Sequence, residues 1–296
     1  MQIGLLTGTI HVGAGQRFGE VTWFPLWTAA GTTDRFAPAA ALTFDECQTA
    51  EVDRLMVTNV SHVPGLLIQG ETVRGGLQDR TCTTSVIVPP DSCIDVPVAC
   101  IEQGRWAPSG RFHRESVTPP RMRARHTTTR VRSGSGVSWK TDQIGTWSEI
   151  DRLQSEASQL APTASYHDVY EARRSRQQSE HHPRPLDGQR GVALGYAGQI
   201  HSVDLFGTDE DLRVVWERLL DATQFEASFA PDTGVPAARA RQAIRALTRL
   251  RFQSDRALGL GEDLRAENDH LVANGLRYEG GLAHLAAFAP RLALAT

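Results

Sequence analysis

The chain is almost without lysine. Lys140 stands alone among 31 basic side chains in 296 residues, and the others are arginine. Its positive charge therefore sits on planar guanidinium forks, which match carboxylate and phosphate groups bidentately. Cysteine is scarce too. Cys47, Cys82, Cys93 and Cys100 show no C-x-x-C spacing, which argues against a zinc site built on thiolates. A chain of this length buries enough surface to need no covalent staples. No apolar run approaches the roughly 18 residues of a membrane span, and no basic stretch followed by a long apolar core opens the sequence. The nucleotide-loop pattern G-x-G-x-x-G, the Walker pattern and the nucleophile elbow G-x-S-x-G are all absent, which removes the best-marked nucleotide-binding and serine-hydrolase classes. A formal net charge of -3 predicts no general attraction to nucleic acid or membrane. With 40% hydrophobic and 22% charged residues, the composition is that of an ordinary globular protein. A cytoplasmic protein with reduced thiols is expected.

What is present divides the chain by pattern. The first hundred residues are rich in β-branched and aromatic side chains. Strands are predicted over 18–27, 54–61 and 65–73. Two more are predicted within 81–100, joined at the Pro-Pro-Asp-Ser turn. "LTFDECQTAEV" (42–52) reads as a short helix capped near Thr43. From 104 to 136 apolar periodicity is lost and Gly, Ser, Pro and Arg dominate, which predicts a long loop with one helical turn. Apolar residues at Ile144, Trp147, Ile150 and Leu153 predict a helix over 142–160, and a second is read at 165–182. A hairpin turning at Ala197 and Gly198 is predicted over 190–207. Thr208 followed by acids and an apolar face predicts a helix over 208–227, and "VPAARARQAIRALTRL" predicts another. Short strands fill 251–296. Strands and helices do not alternate regularly, so the expectation is one α+β domain over 1–296, with a sandwich or barrel-like sheet around a helical middle.

Two stretches carry candidate chemistry. In "GETVRGGLQDR" (70–80), Glu71 and Arg80 bracket Gly75, Gly76 and Gln78, and glycines let a backbone turn tightly or approach a ligand. In "CIEQGRW" (100–106), Glu102, Gln103, Arg105 and Trp106 follow a strand. Two carboxylates at neighbouring strand ends would suit acid–base work on a glycosidic or phosphoester bond. They would also suit a divalent cation such as magnesium. Equally, Glu102 could pair with Arg105 or Arg80 and only fix a turn, and Trp106 could pack under the loop. Residues 105–132 hold eight arginines against one acid, Glu115, which points to a phosphate-bearing small molecule or to a solvated loop. Stacking aromatics are too few there to favour nucleic acid. The pairs His167 with Asp168 and His201 with Asp204 could join in a metal or acid–base cluster, and Cys82 and Cys100 suit buried structural thiols better than nucleophiles.

The block from Leu66 to Trp106 resembles the ADP-ribosylglycohydrolase- and rhodanese-phosphatase-associated protein domain family. Its members show a G-E-E-x-x-G-G-x-Q-N-R element followed by two strands and a C-V-E-Q-G-R-W element. "GTWSEIDR", "DVYE", "HSVDLFG" and the closing "GLGEDLRAE" and "HLAAFA" are similar as well. The chain departs from the pattern at Thr72, where an acid is common, and at Asp79, where asparagine stands. The resemblance implies catalytic roles for Glu71 and Glu102 and ligand contacts from Gly75, Gly76, Gln78, Arg80, Gln103, Arg105 and Trp106. It also implies an enzyme of NAD- and ADP-ribose-linked metabolism. A hydrolase acting on an N-glycosidic bond is favoured, and a non-catalytic ADP-ribose- or nucleotide-binding module is the alternative.

Overall fold

The computed structural model describes residues 2–4, 9–29, 31, 35–132, 141–159, 161–175 and 181–289. Two-residue alternation sets its largest element, an antiparallel sheet. Across this sheet the strands run Gln2–Gly4, Arg251–Arg256, Glu262–Glu267, Val272–Tyr278, Gly281–Phe288, Gln199–Phe206, Gly191–Tyr196, Val21–Trp27 and His11–Val12, with Gln16–Phe18 also on Val21–Trp27. Strands from both ends of the chain thus share one sheet. On Val21–Trp27, Phe24 and Leu26 point to one face and Val21 and Trp23 to the other, as pleating requires. The first face is covered by helix α5 (Ala237–Thr248) through Ala240, Ile244 and Leu247. The second is covered by α4 (Asp209–Ala227), whose Trp216 meets Trp23 edge-on at 5.1 Å between ring centres.

The second sheet orders His113–Val117, Glu71–Arg74, Arg80–Cys82, Ser92–Cys100, Arg54–Asn59 and Leu42–Asp45, all antiparallel, and a two-stranded ladder joins Gly65–Leu67 to Val86–Val88. Helix α1 (Pro120–Arg132) packs on the large sheet and on α4, α2 (Gln143–Ala157) on α1 and on Ser92–Cys100 of the second sheet, and α3 (Tyr166–Arg174) on α2 and α4. The fold is α+β with β-rich ends and helices in the middle, as expected. The Ala197–Gly198 turn stands where it was predicted, with both residues at positive φ. So does α4, whose Thr208 forms a reciprocal capping box with Asp211.

Two local expectations fail. Residues 42–45 are a strand, not a helix: Leu42 and Phe44 alternate inward with Thr43 and Asp45 outward, in register with Arg54–Asn59. A period of two, completed by a partner strand, overrides the weak cap signal at Thr43. The expected loop over 104–136 contains the strand His113–Val117 and the 13-residue helix α1, while 133–136 lie outside the described residues. Pro120 opens α1, where its missing N–H costs nothing. Apolar periodicity is weak in α1 because arginines fill buried positions: Arg123 pairs with Asp204 and Arg130 with Asp263, all four buried. The helices expected over 142–160 and 165–182 both form, as α2 and α3. Ile144 is 78% exposed, so α2 buries Gly145, Thr146 and Glu149 beside Ile150 and Leu153. The helix read over 165–182 is described only as far as Arg174, and 176–180 lie outside the described residues.

Candidate functional site

The two motif stretches converge on Arg105. Gly75 and Gly76 hold φ of +126° and +52°, conformations that side-chain-bearing residues avoid. A Cβ on Gly76 would lie 2.0 Å from the Phe112 ring. The turn they allow brings its carbonyls to Arg105. Nη1 donates to Gly76 O at 2.8 Å and Ala107 O at 2.7 Å, and Nη2 donates to Gly75 O, to Asp79 Oδ1 at 3.0 Å and to Glu102 Oε2 at 2.5 Å. Glu102 is buried. Its Oε2 also accepts the Asp79 N–H, its Oε1 accepts the Thr163 hydroxyl at 2.9 Å, and its carbonyl accepts from Gln78 Nε2. Glu102 therefore pairs with Arg105, and "EQGRW" locks the 74–80 turn onto the strand end. Gln103 and Trp106 remain at the surface.

Behind the lock stands a buried relay. Asp79 Oδ2 meets His167 Nδ1 at 2.6 Å, His167 Nε2 meets the Thr72 hydroxyl at 2.9 Å, and Thr72 meets Ser116 Oγ at 3.0 Å. Burial raises the Asp79 carboxyl, but His167, the Gly75 N–H and Arg105 together hold it below its ordinary value. The two departures from the motif pattern, Thr72 and Asp79, thus flank one imidazole. His167 partners Asp79 rather than joining His201 and Asp204. His201 stacks on Tyr196, and Asp204 binds Arg123 and faces His284.

Glu71 belongs to a different network. It is fully buried, and its Oε1 accepts from Arg114 and, at 2.7 Å, from Arg218 of α4, while Oε2 accepts the Ile68 N–H at 2.9 Å. Burial pushes the carboxyl up, and the two guanidiniums outweigh it and hold it at about 2. Among the described residues, Glu71 and Glu102 share no hydrogen-bonding or ion-pair partner. Each is taken by arginine, so the geometry does not assemble a magnesium site from them. Among the described residues, no group of three or more His, Cys, Asp or Glu side chains is placed to hold a metal. Arg80 is buried beneath Trp106, 5.8 Å from the ring centre, and its Nε and Nη2 find no hydrogen-bond partner among the described residues. Burial lowers its pKa, and Glu46 acts on it only through space.

Beside Glu71 opens a cleft of about 400 Å³. Its walls include Ile68 and Arg114, two of the three groups that hold Glu71, together with Arg35 and Arg213, the rings of Phe36 and Phe206, and the start of α4 with Glu210 and Asp211. The volume lies within the usual range of small-molecule sites. Arg213 is paired with Asp209 of its own helix at 3.1 Å, and Arg35 approaches Glu210 at 3.9 Å. Burial pushes the Asp211 carboxyl up to about 6, although the Thr208 N–H and hydroxyl oppose the shift. Glu102, Arg80 and Trp106 do not line this cleft.

A family model described as the ARG and Rhodanese-Phosphatase-superfamily-associated Protein domain matches residues 9–288. The chain belongs to that family. The family name ties it to the ADP-ribosylglycohydrolase and rhodanese-phosphatase superfamilies and, at that coarse level, to related metabolism. No curated protein and no solved structure matches the chain. Among the described residues, no helix is long and apolar enough to cross a membrane.

Sequence reasoning missed Arg218, Phe36 and Asp211. Arg218 lies inside an ordinary amphipathic helix, and only the packing of α4 against the second sheet brings it to Glu71. Asp211 counts in the sequence only among the acids of the first turn of α4, and the structure makes it the partner of Thr208 in the capping box. Nothing in the sequence tells that its cap opens onto a cleft.

Proposed function

We propose that this protein is a hydrolase of NAD- and ADP-ribose-linked metabolism, acting on an ADP-ribosyl or other nucleotide-bearing small molecule, with an N-glycosidic bond as the favoured target. The observation that carries the proposal is the cleft, which combines three arginines, two aromatic rings and a carboxyl at about 6 in one space of about 400 Å³. In this reading Arg35, Arg114 and Arg213 hold phosphates through charge-assisted forks, and Phe36 and Phe206 flank an aromatic base. Asp211 is the acid–base group, because a carboxyl near 6 is ionised at neutral pH yet basic enough to activate water. Glu71 acts by holding Arg114 against the cleft wall, and Glu102 with Arg105 acts by fixing the motif turn. The recurrence of these glutamates in the motif then reflects positioning rather than proton transfer. One observation favours a second reading, a non-catalytic binding module: both motif glutamates are saturated by arginine.

Thermal unfolding with NAD, ADP-ribose, AMP and ribose 5-phosphate, with and without magnesium, followed by mass analysis of each mixture, tests the proposal. A ligand at about 100 times its Kd stabilises by about 2.7 kcal/mol. Stabilisation with turnover that Asp211→Asn abolishes is the expected outcome. Stabilisation without turnover favours the binding module. If no ligand stabilises the protein, both readings fail.

A further inference from the structure

The arginine-rich segment that dominates the sequence is largely neutralised inside the protein: Arg105, Arg114, Arg121, Arg123, Arg125 and Arg130 each reach a carboxylate. A different cationic surface is not neutralised. No acid occurs between Asp232 and Asp255. Across that span α5 and the residue after it present Arg239, Arg241, Arg245 and Arg249, all exposed. Among the described residues none of the four forms an ion pair. Arg241, Arg245 and Arg249 follow a four-residue spacing, which sets them in one stripe about 6 Å apart along the helix axis. The opposite, apolar face of α5 is already buried on the large sheet, so it is not free to enter a membrane surface, as an interfacial helix would.

Beside the stripe lies a pocket of about 150 Å³. Its polar lining is Gln199, Arg239, Gln242 and His270, and Ile200 and Leu271 supply apolar walls. Amides and an imidazole over apolar side chains suit the edge and face of one unstacked base, which is how single strands are read. Arginine forks at regular spacing suit a run of phosphates rather than a single one. We infer that the exposed face of α5 binds single-stranded nucleic acid, with Arg241, Arg245 and Arg249 along the phosphates and one base in the pocket of Gln199, Arg239, Gln242 and His270. The net charge of -3 does not oppose this, because charges beyond a Debye length of about 8 Å are screened. The inference is independent of the cleft beside Glu71.

The test is fluorescence anisotropy of the full chain with a labelled 12-nucleotide RNA, the DNA of the same sequence, its duplex, and poly-glutamate. Three phosphate contacts to a single strand predict a log–log salt slope of about -2, or a loss of about twentyfold between 50 and 200 mM salt. The combined change Arg241→Gln, Arg245→Gln and Arg249→Gln should bring the slope near zero. It should leave the melting temperature unchanged, since these side chains bind no carboxylate. His270→Ala should weaken binding about tenfold and leave the slope intact. RNA binding that exceeds DNA binding, or the reverse, identifies the natural strand. Failure of both single strands to bind at 50 mM salt would overturn the inference. So would equal binding of duplex or poly-glutamate, or full binding by the triple variant.

Discussion

Glu71→Gln removes the one charge that Arg114 and Arg218 both face, while keeping the shape and one oxygen for the Ile68 N–H. The carboxyl is held at about 2 against an ordinary 4.5. Each pKa unit corresponds to about 1.4 kcal/mol, so ionised Glu71 contributes about 3 kcal/mol of stability at pH 7. This agrees with the roughly 3–5 kcal/mol lost when one member of a buried ion pair is removed. In a chain of this size it corresponds to a fall in Tm of about 6 °C. The sign with pH follows from linkage. A depressed carboxyl gives its full stabilisation above its unfolded value of 4.5, and loses it as pH falls towards 2. The gap between wild type and Glu71→Gln should therefore be about 3 kcal/mol at pH 7 and about 1.4 kcal/mol at pH 3. Urea-unfolding midpoints of both proteins, converted with a common slope, measure it. A gap below about 1 kcal/mol at pH 7, or one that does not narrow at pH 3, would refute charge pairing as what holds Glu71. Since the same pairing fixes Arg114, the variant should also weaken any ligand of the cleft.

Glu226 offers the opposite sign. It is buried beside Glu149, and burial and that neighbour push it up to about 7 despite Arg152. Its contribution is therefore present below pH 4.5 and lost as pH rises through 7, so Glu226→Gln should gain on wild type by up to about 3 kcal/mol between pH 4.5 and 8; parallel stability curves would contradict this. Breaking the buried Arg123–Asp204 pair with Asp204→Asn should cost about 3–5 kcal/mol, measured as an unfolding midpoint, because an uncompensated guanidinium would be left between α1 and the large sheet. Native protein treated with iodoacetamide should be modified first at exposed Cys93. Cys82 and Cys100 should react only on unfolding, since burial raises both thiols, and peptide mapping against time would show the order.

Elements with complete local signals were legible. Thr208, its following acids and the Leu212, Val215 and Leu219 stripe define α4 without help from the rest of the chain. Ala197–Gly198 defines its hairpin in the same way. Helix α1 was not legible. Its buried arginines are stabilised by Asp204 and Asp263, 81 and 133 residues away, so no window of sequence contains the reason for its burial. The strand at 42–45 was missed for a related reason, since four residues become a strand only when Arg54–Asn59 supplies the ladder.

The candidate site divides along the same line. By itself the sequence marked Gly75, Gly76, Glu102 and Arg105, because positive-φ glycines and the spacing within each short motif are local properties; Glu71, read beside them, joins a separate arginine network. It also determined that the cationic groups are arginine forks, suited to pairing with carboxylates. Only the tertiary structure decided which carboxylate each fork meets, since a buried ion pair needs partners brought close from distant segments and removed from water. Those pairings closed Glu102 into a lock and Glu71 into an arginine clasp. They also left, among the described residues, a cleft at the start of α4 and a stripe of arginines on α5 without carboxylate partners.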